Sequence, residues 1–250
     1  RTVIGWKGLI NDPDLDNSFK VNNGIKIARK LLLDLAEMGM PAGHEYLDLI
    51  SPQYISDLIG WGAIGARTTE SQSHRELASG LSCPVGFKNG TDGGIQIAVD
   101  AIKAASRPHN FLSVTKEGKS AIFKTTGNKD CHIILRGGKT RPNYSSSDVD
   151  EVGKTLEAND LSPILMIDAS HANSNKDYKN QHLVIEDVCK QIKNENIVGV
   201  MIESNLVEGK QEIGVKQDLM YGQSVTDPCI GWDETEKLLR VLSKSVEKRL

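Results

Sequence analysis

Short apolar runs of strand length alternate along this chain with longer stretches in which apolar residues recur every three to four positions. The runs fall at 46–50, 63–66, 84–87, 133–135, 164–167 and 198–202. They are mostly continuous rather than alternating, the pattern of strands covered on both faces. Between them, 24–38 sets Ile25, Ala28, Leu31, Leu32 and Leu35 at helical spacing and stops at Gly39, a residue suited to the left-handed end of a helix. Ser51 and Pro52 read as an N-cap followed by a first-turn proline. Further helices are expected over 93–105, 147–158, 183–193 and 233–249. Strand followed by helix, repeated, predicts a parallel α/β sheet, closed or doubly wound. Segments 111–115 and 121–125 flank a polar turn and predict a β-hairpin, 111–125, inserted outside the repeat.

Six core strands are legible, whereas a closed α/β barrel needs eight. Either two strands precede Arg1, which stands where a Met would open a chain, or the sheet is open. The 250 residues are enough for one barrel, and no Pro-, Gly- or Ser-rich tract divides them, so a single domain over 1–250 is expected.

Charge narrows the choice of partner. A formal net charge of −3 lacks the basic excess of a nucleic-acid binder, so any cationic site must be local. No apolar run approaches the ~20 residues of a membrane span, and no signal peptide is visible. Cys83, Cys131, Cys189 and Cys229 are widely spaced without a CxxC pair and read as reduced, mostly buried thiols, which suits a cytoplasmic protein.

The chemistry gathers where the strands end. Run 63–66 leads into Arg67, 84–87 into Lys88 and 133–135 into Arg136; 164–167 leads into Asp168-Ala169-Ser170-His171 and 198–202 into Glu203. In a parallel α/β barrel these C-terminal ends share the face where catalytic residues collect. Three converging cations need an anion among them, and a guanidinium fork beside an ammonium suits phosphate or carboxylate. Glycine-rich turns after Lys88 and Arg136 let backbone N–H groups approach such a ligand, although the P-loop order is absent. His171, Glu203 and Asp227 offer an imidazole and two carboxylates, a set suited to one divalent ion such as Mn²⁺, Fe²⁺ or Co²⁺. His44, His74, His109, His132 and His182 lack such company and are expected to be structural or exposed.

Longer motifs carry a resemblance. GARTTESQ at 65–72, HRELASG at 74–80 and PVGFKNGTDG at 84–93 closely resemble the class I 3-deoxy-D-arabino-heptulosonate 7-phosphate (DAHP) synthases, especially the fungal branch. GWKGLIND at 5–12, ILRGGK at 134–139, GVMIESN at 199–205 and CIGW at 229–232 extend the likeness over essentially the whole chain. The resemblance implies a (β/α)8 TIM barrel whose first two strands lie outside this sequence. It implies a transferase that condenses phosphoenolpyruvate with erythrose 4-phosphate and releases phosphate, the first step of the shikimate pathway to aromatic amino acids. By the same resemblance Arg67, Lys88 and Arg136, with Glu45 and Ala66, bind phosphoenolpyruvate, and Arg1 and Thr2 bind erythrose 4-phosphate. His171, Glu203 and Asp227 hold the metal, and Lys88, His171 and Asp227 carry the catalysis, Asp227 also managing a proton near the aldehyde oxygen. Feedback inhibition by an aromatic amino acid is implied near Pro52, Gln53 and Ser82, with 12–24 closer to the phenylalanine-sensitive type, and so is a homodimer or homotetramer.

The sequence departs from the family where the metal-binding Cys and two further active-site cations belong. The sequence is therefore expected to be part of a longer protein; if the protein truly began at Arg1, poor folding and no activity would be expected. A non-catalytic amino-acid-sensing or assembly partner of the same fold, and the sister synthase that uses arabinose 5-phosphate, are the alternatives.

Overall fold

The computed structural model describes residues 6–249. In chain order the elements are α1 (Val21–Glu37), β1 (Gly43–Glu45), α2 (Pro52–Ile55), β2 (Trp61–Ile64), α3 (Gln72–Ser79), β3 (Val85–Lys88) and α4 (Gln96–Ala105). They continue with β4 (Asn110–Val114), β5 (Ser120–Lys124), β6 (Cys131–Leu135), α5 (Ser146–Glu157), β7 (Leu165–Asp168), α6 (Gln181–Lys190) and β8 (Ile197–Met201). Last come β9 (Val207–Lys210), β10 (Gln223–Ser224) and α7 (Trp232–Val246). A six-stranded sheet runs in the order β1-β2-β3-β6-β7-β8. Its α/β class and parallel pairing are those expected; eight strands closing on themselves are not among the described residues.

The backbone divides into two compact units, Arg1–Gly86 with Ala101–Cys131, and Phe87–Asp100 with His132–Leu250. In the first, α1 stops as its sequence demands. Gly39 takes φ +73°, and the N–H groups of Gly39 and Met40 bond back to the carbonyls of Ala36 and Leu35. That pair of bonds is a Schellman closure. Two local expectations fail here. Strand β1 lies before the apolar run at 46–50: Asp48 accepts the N–H groups of Ile50 and Ser51 and turns the chain, leaving Leu47 and Ile50 exposed. Ser51 is not a cap either, since its backbone is already helical and its hydroxyl donates to Asp48. The hairpin is present as β4 and β5, antiparallel, with Phe111 opposite Phe123 and Leu112 opposite Ile122. The short helix α3 and the β9–β10 pair were not anticipated; neither stretch carries a long apolar period.

The second unit holds the ends of the central strands. Every residue of β6 is buried, and Ile133, Ile134, Leu135, Leu165 and Ile167 are fully so. Each such side chain stabilises the fold by about 1.5–3 kcal/mol relative to exposure. Val198 in β8 is exposed, so the expectation of cover on both faces fails at the strand that ends the ladder. All four cysteines are free thiols, three of them buried. No helix among the described residues is long and apolar enough to cross a membrane.

Candidate active site

Strand β7 ends on Asp168, whose side chain is wholly buried. Its Oδ2 lies 3.0 Å from Lys88 Nζ at the end of β3 and 2.9 Å from His171 Nδ1, ion-pair distances without full hydrogen-bond alignment. Burial opposes charge on this carboxyl, but the contacts with His171 and Lys88 prevail and hold it down at about 2. Asp168 is therefore an anion that joins a candidate phosphate ligand to a candidate metal ligand. The Asp-Ala-Ser-His motif was visible in the sequence, but this bridging role was not. Chain order cannot show that the β3 lysine and the β7 aspartate meet.

The backbone beyond Asp168 is built around His171. The Ser170 N–H donates to Asp168 Oδ1 at 2.9 Å, and the Ala172 N–H to the Arg136 carbonyl at 3.1 Å. His171 itself has φ +54°, a left-handed conformation that a non-glycine residue adopts at a cost and that collects at functional positions.

Glu203 follows β8, and Asp227 lies on the loop after β10. Ligand atoms of His171, Glu203 and Asp227 all lie within 4.8 Å of one another. Burial, then the neighbouring Asp227, pushes the Glu203 carboxyl up from the usual carboxylate range. Two carboxylates this close repel unless a cation or proton stands between them. The donor types and the closeness of the two carboxylates fit a divalent ion, and Nδ1 facing Asp168 leaves Nε2 of His171 for the ion. Gln181, the first residue of α6 and wholly buried, fixes Glu203: its Oε1 accepts the Glu203 N–H at 2.8 Å and its Nε2 donates to the Glu203 carbonyl at 3.0 Å. A buried glutamine at a helix start carried no signal in the sequence.

Arg136 is tied into the same unit through its backbone N–H, which donates to Asn89 Oδ1 at 2.8 Å beside Lys88. Lys88, through Asp168, thus stands beside His171, and the Arg136 backbone lies in the same unit as the three metal-ligand candidates. Arg67, Glu45 and Ala66 belong to the first unit, where a Cβ on Gly65 would collide with the Glu45 carboxylate, so Glu45 lies against the turn leading to Ala66 and Arg67. Arg1 and Thr2 lie outside the described residues.

A separate cavity of about 350 Å³ opens in the first unit. Pro52, Gln53, Phe111, Phe123, Glu76 and Lys124 are among its walls, so two of the three regulatory candidates line it. Ser82 is exposed and is not among the lining residues.

A parallel α/β sheet with Lys88 and Arg136 at its strand ends, a buried aspartate and a three-ligand metal set defines a metal-dependent enzyme acting on anionic substrates. The chain belongs to the DAHP synthetase I family, whose model matches residues 1–240. It is 62% identical over 251 residues to the Phe-sensitive phospho-2-dehydro-3-deoxyheptonate aldolase of Escherichia coli (strain K12), spanning all of this chain and 71% of that protein. It is 55% identical to the Trp-sensitive form of the same strain, spanning 72% of it. The solved phospho-2-dehydro-3-deoxyheptonate aldolase of Francisella tularensis SCHU S4 superposes with a TM-score of 0.96 at 57% identity, over all of this chain and 73% of that one. These relatives are bacterial and give no support to the fungal branch. The class I family and its enzyme class are as the motifs implied.

Proposed function

We propose that this enzyme condenses phosphoenolpyruvate with erythrose 4-phosphate to DAHP and inorganic phosphate, the first committed step toward the aromatic amino acids. The observation that carries the reading is the convergence of Lys88, Asp168 and His171 beside Glu203 and Asp227 in a chain of this family. Lys88 and Arg136, with Arg67, Glu45 and Ala66, bind phosphoenolpyruvate, neutralising charge that would otherwise repel the second phosphate. Arg1 and Thr2 bind erythrose 4-phosphate. A divalent ion held by His171, Glu203 and Asp227 would polarise the aldehyde carbonyl as a Lewis acid. The enol carbon of phosphoenolpyruvate bonds to the aldehyde carbon, and water adds at the carbon bearing phosphate. Cleavage of that C–O bond then releases phosphate. Asp227 also manages the proton delivered near the aldehyde oxygen, which becomes a hydroxyl. The six-stranded sheet is part of a (β/α)8 barrel, and the protein works in the cytoplasm as a homodimer or homotetramer. The exposed pair Leu112 and Ile122 is apolar surface that such an assembly would cover.

Phosphate release from phosphoenolpyruvate tests the reaction. Release is expected only with erythrose 4-phosphate and Mn²⁺, Fe²⁺ or Co²⁺ present, and a chelator abolishes it. Release with arabinose 5-phosphate in place of erythrose 4-phosphate would shift the reading to the sister synthase. A folded, metal-loaded protein that releases none would leave the sensing or assembly role.

The cavity between α2, α3 and the hairpin takes an aromatic amino acid as feedback inhibitor. Facing phenyl rings suit an aromatic side chain, and the polar rim suits an ammonium and a carboxylate. Phenylalanine is the proposed inhibitor, supported by the higher identity to the Phe-sensitive relative. Phe123→Ala is expected to raise the inhibition constant by about tenfold or more while uninhibited kcat holds. Equal inhibition of the variant and the unsubstituted enzyme would move the inhibitor elsewhere.

A further inference from the structure

Three asparagines are buried beside the ends of β3, β6 and β7. Asn89, Asn143 and Asn173 are 0%, 9% and 2% exposed. A buried amide destabilises the fold unless its donors and acceptors are met, and here they are met largely by one another and by the backbone of the site. Asn89 uses its full capacity. Its Nδ2 donates to the carbonyls of Gly90 at 2.8 Å and Gly137 at 3.1 Å, and its Oδ1 accepts the Arg136 N–H at 2.8 Å and Asn143 Nδ2 at 3.3 Å. Asn143 continues the chain: its Oδ1 accepts the Gly137 N–H at 2.7 Å and its own N–H donates to Asn173 Oδ1 at 2.9 Å. Asn173 Nδ2 closes it on the carbonyls of Leu135 at 3.0 Å and Asp168 at 2.9 Å.

The line of bonds runs from the residue after Lys88, through the peptide groups on both sides of Arg136, to the residue that pairs with Lys88 and His171. The backbone around it has little slack. Gly137 has φ +76°, and a Cβ there would stand 2.7 Å from the Ala172 carbonyl carbon and the Asn173 nitrogen. Glu203 is held by other means, through Gln181, so the amide chain concentrates on the cations.

We propose that Asn89, Asn143 and Asn173 are positioning residues that set the separation of Lys88 and Arg136, and thereby the affinity of the site for the phosphate and carboxylate of phosphoenolpyruvate. This rests on the function proposed above. None of the three need touch substrate. Each acts by holding the peptide that carries a cation, and misplacement of about 1 Å in such a group can cost 10²-fold.

The test compares Asn89→Ala and Asn143→Ala with the unsubstituted holoenzyme. Phosphoenolpyruvate binding, Mn²⁺ binding and steady-state kinetics are measured on each, with thermal unfolding as the control for fold. The expected result for Asn89→Ala is a rise of about tenfold or more in Kd and KM for phosphoenolpyruvate, with Mn²⁺ affinity and KM for erythrose 4-phosphate within about twofold. Asn143→Ala keeps the Asn89 bonds to Arg136, Gly90 and Gly137, and is expected to show the same split with a smaller rise. It decides the matter if Asn89→Ala does not fold. Unchanged phosphoenolpyruvate affinity in a folded variant overturns the inference, as does an equal loss of phosphoenolpyruvate and Mn²⁺ affinity. Absence of phosphoenolpyruvate binding by the unsubstituted enzyme would overturn the function reading itself, a result distinct from either.

Discussion

Lys88→Met is expected to lower kcat/KM by about 10²–10³-fold, the loss typical of one preorganised charge aimed at a reacting anion. The same change should destabilise the fold, because Asp168 is wholly buried and would lose its ion pair with Lys88. Removing one member of a buried pair costs about 3–5 kcal/mol, chiefly through the charge left behind. Thermal unfolding and kinetics on the same preparation separate the two effects. A double variant, Lys88→Met with Asp168→Leu, is expected to regain much of the stability and none of the activity. If Lys88→Met keeps the KM for phosphoenolpyruvate and kcat, Lys88 is a structural counter-ion to Asp168 and its proposed substrate contact is wrong.

The second large effect is expected from Asp168→Asn. The substitution preserves size but removes the anion that orients the His171 imidazole and pairs with Lys88. Loss of such an outer partner of a metal-bound histidine lowers metal affinity by about 10–100-fold. Titration with Mn²⁺, followed by calorimetry, reads this directly and needs no turnover. Metal affinity within twofold of the unsubstituted enzyme would show that His171 is oriented without Asp168. The pH dependence has a definite sign. The folded-state pKa of Asp168 is depressed from 3.8 to about 2, so the stability it contributes is complete above its unfolded value. That contribution is lost as pH falls from about 4 toward 2. Asp168→Asn should flatten the acid limb of the stability curve in that window.

Much of the candidate site was legible because its residues stand immediately after apolar runs. Lys88 and Asp168 end a strand, Arg136, His171 and Glu203 come just after one, and a parallel arrangement puts such positions on one side. Pro52 and Gln53, which line the cavity of the first unit, were indicated by the family resemblance alone. The β1 boundary was missed because Asp48 captures backbone N–H groups, a local competition that outweighs the apolar character of Leu47 and Ile50.

By itself the sequence determined the α/β class, most of the alternation of central strands and helices, the inserted hairpin, the donor types for a metal and the family. Apolar periodicity, terminal glycines and long specific motifs are all local in the chain and need no third dimension to be read. Only the tertiary structure decided that Lys88 and His171 share one buried aspartate, that Gln181 clasps Glu203, and that Asn89, Asn143 and Asn173 bond to one another. These contacts join residues up to 80 positions apart, Lys88 to Asp168 being the longest. Polar pairing over such distances follows from strand register and burial, since an amide or carboxylate removed from water is stable only where the fold supplies its partner.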